Sequence, residues 1–102
     1  MVTTKNSIGI YRIGLILIDG FALMSYSSIV EPLRAANLIS RRTYYDIKYI
    51  PVTGSWAHSS SGASVKATGR IGQEGDFDLV LVVAGGHPAS FKDTKLFQWL
   101  RT

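Results

Sequence analysis

A chain of 102 residues is long enough for one small domain and too short for two. Its composition, 46% hydrophobic and 18% charged, excludes a disordered tail, and the absence of cysteine excludes disulfides, thiolate metal sites and a cysteine nucleophile within these residues. The net charge of +4 is spread along the chain, with only Arg41 and Arg42 adjacent, so it reads as solvated surface rather than a nucleic-acid patch. The longest apolar runs, 13–18 and 79–84, fall far short of the roughly 20 residues that cross a bilayer. Residues 1–7 are followed by a run broken by Tyr11 and Arg12, with no small-residue cleavage site, so no signal peptide is expected and the chain is placed in the cytoplasm.

In chain order, residues 12–18 (RIGLILI) form a short apolar run closed by the turn signal Asp19-Gly20, which predicts a strand buried on both faces. Tyr26, Ile29, Val30, Leu33 and Ala36 then recur at the spacing of one helix face. Pro32 lies inside that pattern and lacks an N–H, so the helix is expected either to kink near Ser28 or to restart with Pro32 in its first turn. Residues 45–52 (YDIKYIPV) alternate well enough for a second strand, ended by Thr53-Gly54. The Ser- and Gly-rich stretch 55–75 has no helical period, and short β segments are expected around 57–59 and 65–68. Residues 77–84 (FDLVLVVA) read as a central strand bounded by Gly85-Gly86. Asp93 is placed to cap a last helix over 94–101, with Leu96, Phe97 and Leu100 on its apolar face.

Buried strands alternating with helices predict βαβ units and a parallel sheet with right-handed crossovers. In the flavodoxin-like order 2-1-3, the first and third strands are neighbours, and their carboxyl ends flank the topological switch point where such sheets bind ligands. The candidate site therefore lies between Asp19-Gly20 and Gly85-Gly86-His87.

Two segments, DGFALMSYSSIVEPLRAAN over 19–37 and DLVLVVAGGHPASF over 78–91, narrow the fold further. Together they resemble the amino-terminal sensor domain of AraC-family transcriptional regulators of the PfpI, class I glutamine-amidotransferase-like superfamily. They especially resemble regulators of arginine, carnitine and glycine betaine catabolism. The resemblance covers residues 11–102, leaving 1–10 as an N-terminal extension. It implies an α/β, flavodoxin-like parallel sheet with helices on both faces, of which this chain holds the first half. The nucleophile elbow and the helix-turn-helix DNA-binding domain would then lie outside these residues. It also implies a homodimer, a small amino-acid-like or betaine-like effector, and contact with DNA only through that absent domain. Enzymes of the superfamily place a glutamate on the turn after the first strand; aligning Gly20 with the family glycine puts Ser25 there. The chain is accordingly expected to sense rather than catalyse, with no catalytic residue, metal or cofactor, and an amino-terminal part of a superfamily hydratase, amidase or glyoxalase-like enzyme is the alternative.

The candidate ligand-binding residues are Gly20, Ser25, Gly85, Gly86 and His87. Gly85 and Gly86 either offer backbone N–H groups to a carboxylate or simply make a turn. His87 either donates to a bound carboxylate or sits in an exposed loop before Pro88. Ser25 either meets a ligand or caps the helix. Glu31 is expected to pair with Arg34 or Arg12 rather than face a ligand. Tyr26 and Trp56 read as core aromatics before they read as a wall for a quaternary ammonium. His58 with Ser59, Ser60 and Ser61 lacks an elbow motif and reads as a solvated loop.

Overall fold

The computed structural model of the chain describes residues 9–72 and 77–85. The elements are β1 (Tyr11–Leu17), α1 (Leu23–Ser40), β2 (Tyr45–Pro51), β3 (Trp56–His58), β4 (Ser64–Lys66) and β5 (Leu79–Val83). The expected helix over 94–101 lies outside the described residues.

β1, β2 and β5 form a parallel sheet in the order β2-β1-β5, the expected 2-1-3 arrangement. Register runs from Tyr11 opposite Tyr45 to Leu17 opposite Pro51 on one side, and from Ile13 opposite Leu79 to Leu17 opposite Val83 on the other. Because side chains alternate across a strand, a run that is apolar throughout serves two cores. Leu15 and Leu17 join Phe21, Val30, Ala57 and Val83 on the face that α1 covers, while Ile16 joins Ile50, with Val52, Ile71, Phe77 and Val80 against it, on the other. Gly14 belongs to the second face. A Cβ there would stand 3.2 Å from the Phe77 ring, so glycine lets the aromatic ring lie flat on β1.

The run 77–84 does not behave as a fully buried central strand among the described residues. β5 lies at the edge of the three strands, with Leu79 40% and Val82 45% exposed. Of the two expectations for Pro32, the restart is corrected, because α1 runs through it from Leu23 to Ser40 as one helix. Proline removes one N–H, the one that would reach Ser28. The helix is nevertheless held on both sides of the resulting gap, by Tyr26, Ile29 and Val30 against the first core and by Asn37 at its far end.

Asn37 fastens the α1–β2 connection. Its Nδ2 donates to the Tyr45 carbonyl at 2.8 Å, and its Oδ1 accepts from the backbone N–H groups of Tyr44 at 2.8 Å and Tyr45 at 3.1 Å. Asn37→Ala leaves three backbone groups of the turn without this partner. It is expected to lower stability by about 1–3 kcal/mol, read as a shift of the urea midpoint at unchanged slope.

The Ser- and Gly-rich stretch does hold two short strands. β3 and β4 pair antiparallel, Trp56 with Lys66 and His58 with Ser64, close to the expected segments. Ser59 closes the turn between them: it is buried, and its hydroxyl accepts from the N–H groups of Ala63 at 2.9 Å and Ser61 at 3.3 Å.

Candidate functional site

The carboxyl end of β1 runs into a turn that is bonded to neighbours on both sides. Towards β5, the Ile18 N–H donates to the Val83 carbonyl at 3.1 Å and the Ala22 N–H to the Ala84 carbonyl at 3.4 Å. Towards β3, the Gly20 N–H donates to the His58 carbonyl at 2.7 Å, and Asp19 Oδ1 accepts from the His58 N–H at 2.9 Å. One residue further on, the Ser60 N–H donates to the Phe21 carbonyl at 2.9 Å. The β1–α1 turn is thus clamped between the end of β5 and the β3–β4 hairpin.

Two glycines make this approach possible for different reasons. Gly20 has φ +88°, a left-handed conformation that side chains disfavour, and the side where its Cβ would project is open space. Gly85 is needed for contact: a Cβ there would stand 2.7 Å from the Gly20 carbonyl oxygen and 3.0 Å from the Ala22 nitrogen. The expected site residues Gly20 and Gly85 are therefore brought together at the switch point. Gly86 and His87 lie outside the described residues.

Ser25 is exposed in the first turn of α1 and takes no hydrogen-bond partner among the described residues, so the capping alternative is corrected. The N-cap is Ala22, whose side chain cannot cap, and the first turn contains no acidic residue. No acidic side chain of that first turn offsets the positive end of the helix dipole.

Glu31 pairs with Arg34, not Arg12. Its Oε1 accepts from Arg34 Nη2 at 2.6 Å and Nε at 3.0 Å, and these bonds hold the carboxyl below its ordinary range. Tyr26 and Trp56 form no aromatic wall. Tyr26 packs inside the core, its ring 5.8 Å from Phe21 and 6.1 Å from Tyr49, whereas Trp56 on β3 is 47% exposed. Burial raises the Tyr26 phenol above its usual value, and the neighbouring Tyr49 adds to the shift. His58 is exposed, with Nδ1 2.9 Å from the Ser64 hydroxyl. Asp19 reaches the His58 backbone and not its ring, so these three residues are not arranged as a nucleophilic triad.

Asp19 was expected only to border the site, not to bind within it, and the hairpin beside it was missed. Asp19-Gly20 carried a turn signal and a place at the strand end, but the bond from His58 to Asp19 joins residues 39 positions apart, beyond any local pattern.

No protein-family model matches the chain. It is 42% identical over 94 residues, 92% of its length, to the HTH-type transcriptional regulator GlxA of Rhizobium meliloti. It is 36% identical over 86 residues to the HTH-type transcriptional regulator CdhR of Pseudomonas aeruginosa, and 34% over 73 residues to GbdR, also an HTH-type transcriptional regulator of that species. Among solved structures, an AraC family transcriptional regulator from Pseudomonas putida superposes with a TM-score of 0.74 at 25% identity, covering 89% of this chain and 56% of that one. The chain is homologous to a segment of the AraC-family transcriptional regulators. It spans 29%, 25% and 20% of the length of GlxA, CdhR and GbdR. A DJ-1 superfamily protein from Agrobacterium tumefaciens shares the fold, with a TM-score of 0.55 at 20% identity over 74% of this chain and 38% of that one. The flavodoxin-like α/β reading thus agrees with the sheet order and with both structural neighbours of this AraC-family segment. None of its described helices is long and apolar enough to cross a membrane.

Proposed function

We propose that the chain is the effector-sensing part of an AraC-family regulator and binds a small zwitterionic or betaine-like metabolite at the switch point. Residues 11–102 would form part of the sensor domain, with 1–10 an extension before it. The observation that carries this reading is the junction of Gly20 and Gly85, where the turn after β1 meets the end of β5 without side chains between them. Complementary charge supports the choice of ligand. The N–H groups of the first turn of α1, a turn that contains no acidic residue, suit a carboxylate. Asp19 has one oxygen on His58 and is exposed, and its second oxygen suits a cationic head group.

Sensing then requires only that the effector bind one arrangement of a homodimer better than another, which shifts the population that engages DNA through a helix-turn-helix domain. The regulator homologues favour this over catalysis, as does an exposed Ser25 at the position where the superfamily's enzymes carry glutamate. Such a regulator works in the cytoplasm.

Calorimetric titration with glycine betaine, carnitine and arginine tests the reading. At least one should give a saturable heat that Asp19→Asn weakens by about tenfold, the effect of one charge-assisted contact. Silence across a wide panel of amino acids and betaines would overturn it.

A further inference from the structure

The α1–β2 connection leads into the start of β2, at the opposite end of the parallel sheet from the switch point. Arg34, Asn37, Leu38, Arg41, Arg42 and Thr43 line an open depression of about 360 Å³ there. We propose that this depression is an anion site that takes a phosphate group between the guanidinium groups of Arg41 and Arg42, with Arg34 and the Thr43 hydroxyl at its rim.

Three independent observations carry the assignment. The first is backbone conformation. Arg41 ends α1 with φ 58° and ψ 30°, the only left-handed residue other than glycine among the described residues. Helices ordinarily end on glycine in that conformation because a Cβ is disfavoured there. Strain retained at one position points to a use for its side chain. The second is rigidity. Asn37 makes three hydrogen bonds to Tyr44 and Tyr45, the Ser40 hydroxyl is 3.3 Å from both the N–H and the carbonyl of Arg42, and the Arg41 N–H donates to the Leu38 carbonyl at 3.3 Å. A loop bonded this closely presents its cations with little ordering left to do on binding.

The third is charge. Neither Arg41 nor Arg42 has an acidic partner among the described residues; Arg42 instead lies over the Tyr44 ring at 4.8 Å, which orients its planar fork. Arg34 gives Nε and Nη2 to Glu31 and keeps Nη1 for a ligand. α1 itself brings two opposing charges, the Glu31 carboxylate and the negative end of its dipole. Glu31 is neutralised by Arg34, and the terminal carbonyls of Asn37 and Leu38 already accept from the Ser40 hydroxyl and the Arg41 N–H. Two uncompensated guanidinium groups outweigh what remains, and their paired N–H groups match phosphate oxygens.

The phosphate can come from a free phosphate ester or from a nucleic-acid backbone, and one experiment separates them. The 102-residue chain is titrated calorimetrically with inorganic pyrophosphate and, separately, with a short DNA duplex of arbitrary sequence. Arg41→Gly, Arg42→Ala and, as a control on β4, Lys66→Ala are titrated alongside. The site predicts saturable binding of at least one probe, weakened about tenfold or more by each arginine variant and unchanged in Lys66→Ala. Pyrophosphate binding assigns a free phosphate ester. Binding of the duplex alone, with a salt dependence that falls by about one ion per arginine removed, assigns the backbone. Arg41→Gly relieves the left-handed strain and should melt at or above the parent temperature, so a loss of binding there cannot be unfolding. Failure of both probes, or equal binding by the parent and the two arginine variants, overturns the proposal. Either result is independent of the effector titrations, which probe the other end of the sheet.

Discussion

Phe21→Ala should be the most damaging single truncation among the described residues, lowering stability by about 3–5 kcal/mol, the range for a fully buried aromatic. Phe21 is 0% exposed and is the largest of the fully buried side chains among the described residues. Its ring meets Tyr26 of α1, and it shares a core cluster with Leu15 and Leu17 of β1, Ala57 of β3 and Val83 of β5. Its carbonyl accepts from Ser60, and its backbone bridges to Ser59. The side chain therefore fills the space where sheet, helix and hairpin converge, and no neighbour can collapse into the void without moving one of them. For a domain of this size each kcal/mol shifts Tm by about 4–8 °C, so a fall of more than about 10 °C is expected by thermal scan. A smaller change would mean that the hairpin does not dock on the turn as described.

Gly85→Ala should act on the site more than on the core. The added methyl would stand 2.7 Å from the Gly20 oxygen and 3.0 Å from the Ala22 nitrogen, both backbone atoms that cannot swing aside. The turn and the end of β5 must separate, which strains the bonds from Ile18 to Val83 and from Ala22 to Ala84. Overpacking of this kind costs about 1–3 kcal/mol. Gly20→Ala is a useful contrast: its methyl meets open space and carries only the cost of a left-handed conformation, about 1 kcal/mol. Urea unfolding of the two variants should rank Gly85→Ala as the more destabilised. If the switch point holds the effector, Gly85→Ala should also abolish the calorimetric heat. An unchanged midpoint for Gly85→Ala would show that the two segments stand further apart than the structure places them.

β1 and β5 were legible because each is a short apolar run closed by glycine and β2 because it alternates, and the order of the three followed from the helical pattern between them. Where the reading went astray, long-range packing had overridden a local signal. Local stereochemistry allowed the helix to restart at Pro32, but α1 is held against the sheet by contacts on either side of the missing bond and continues as one helix. Ser25 resembled a cap from its place near a helix start, but the helix begins two residues earlier, where the turn bonds to β5.

Gly20 and Gly85 each follow an apolar run. Their sequence context, a turn after each of two apolar runs, was enough to predict that parallel pairing would bring the two turns to one end of the sheet. That much follows from strand direction and register, which the apolar runs themselves specify. Only the tertiary structure decided what the two glycines do there, one accommodating a backbone angle and the other a contact. It alone also showed that Asp19 faces a hairpin built from residues with no strong pattern, because a hydrogen bond from a backbone N–H to a carboxylate 39 positions away leaves no trace in side-chain periodicity.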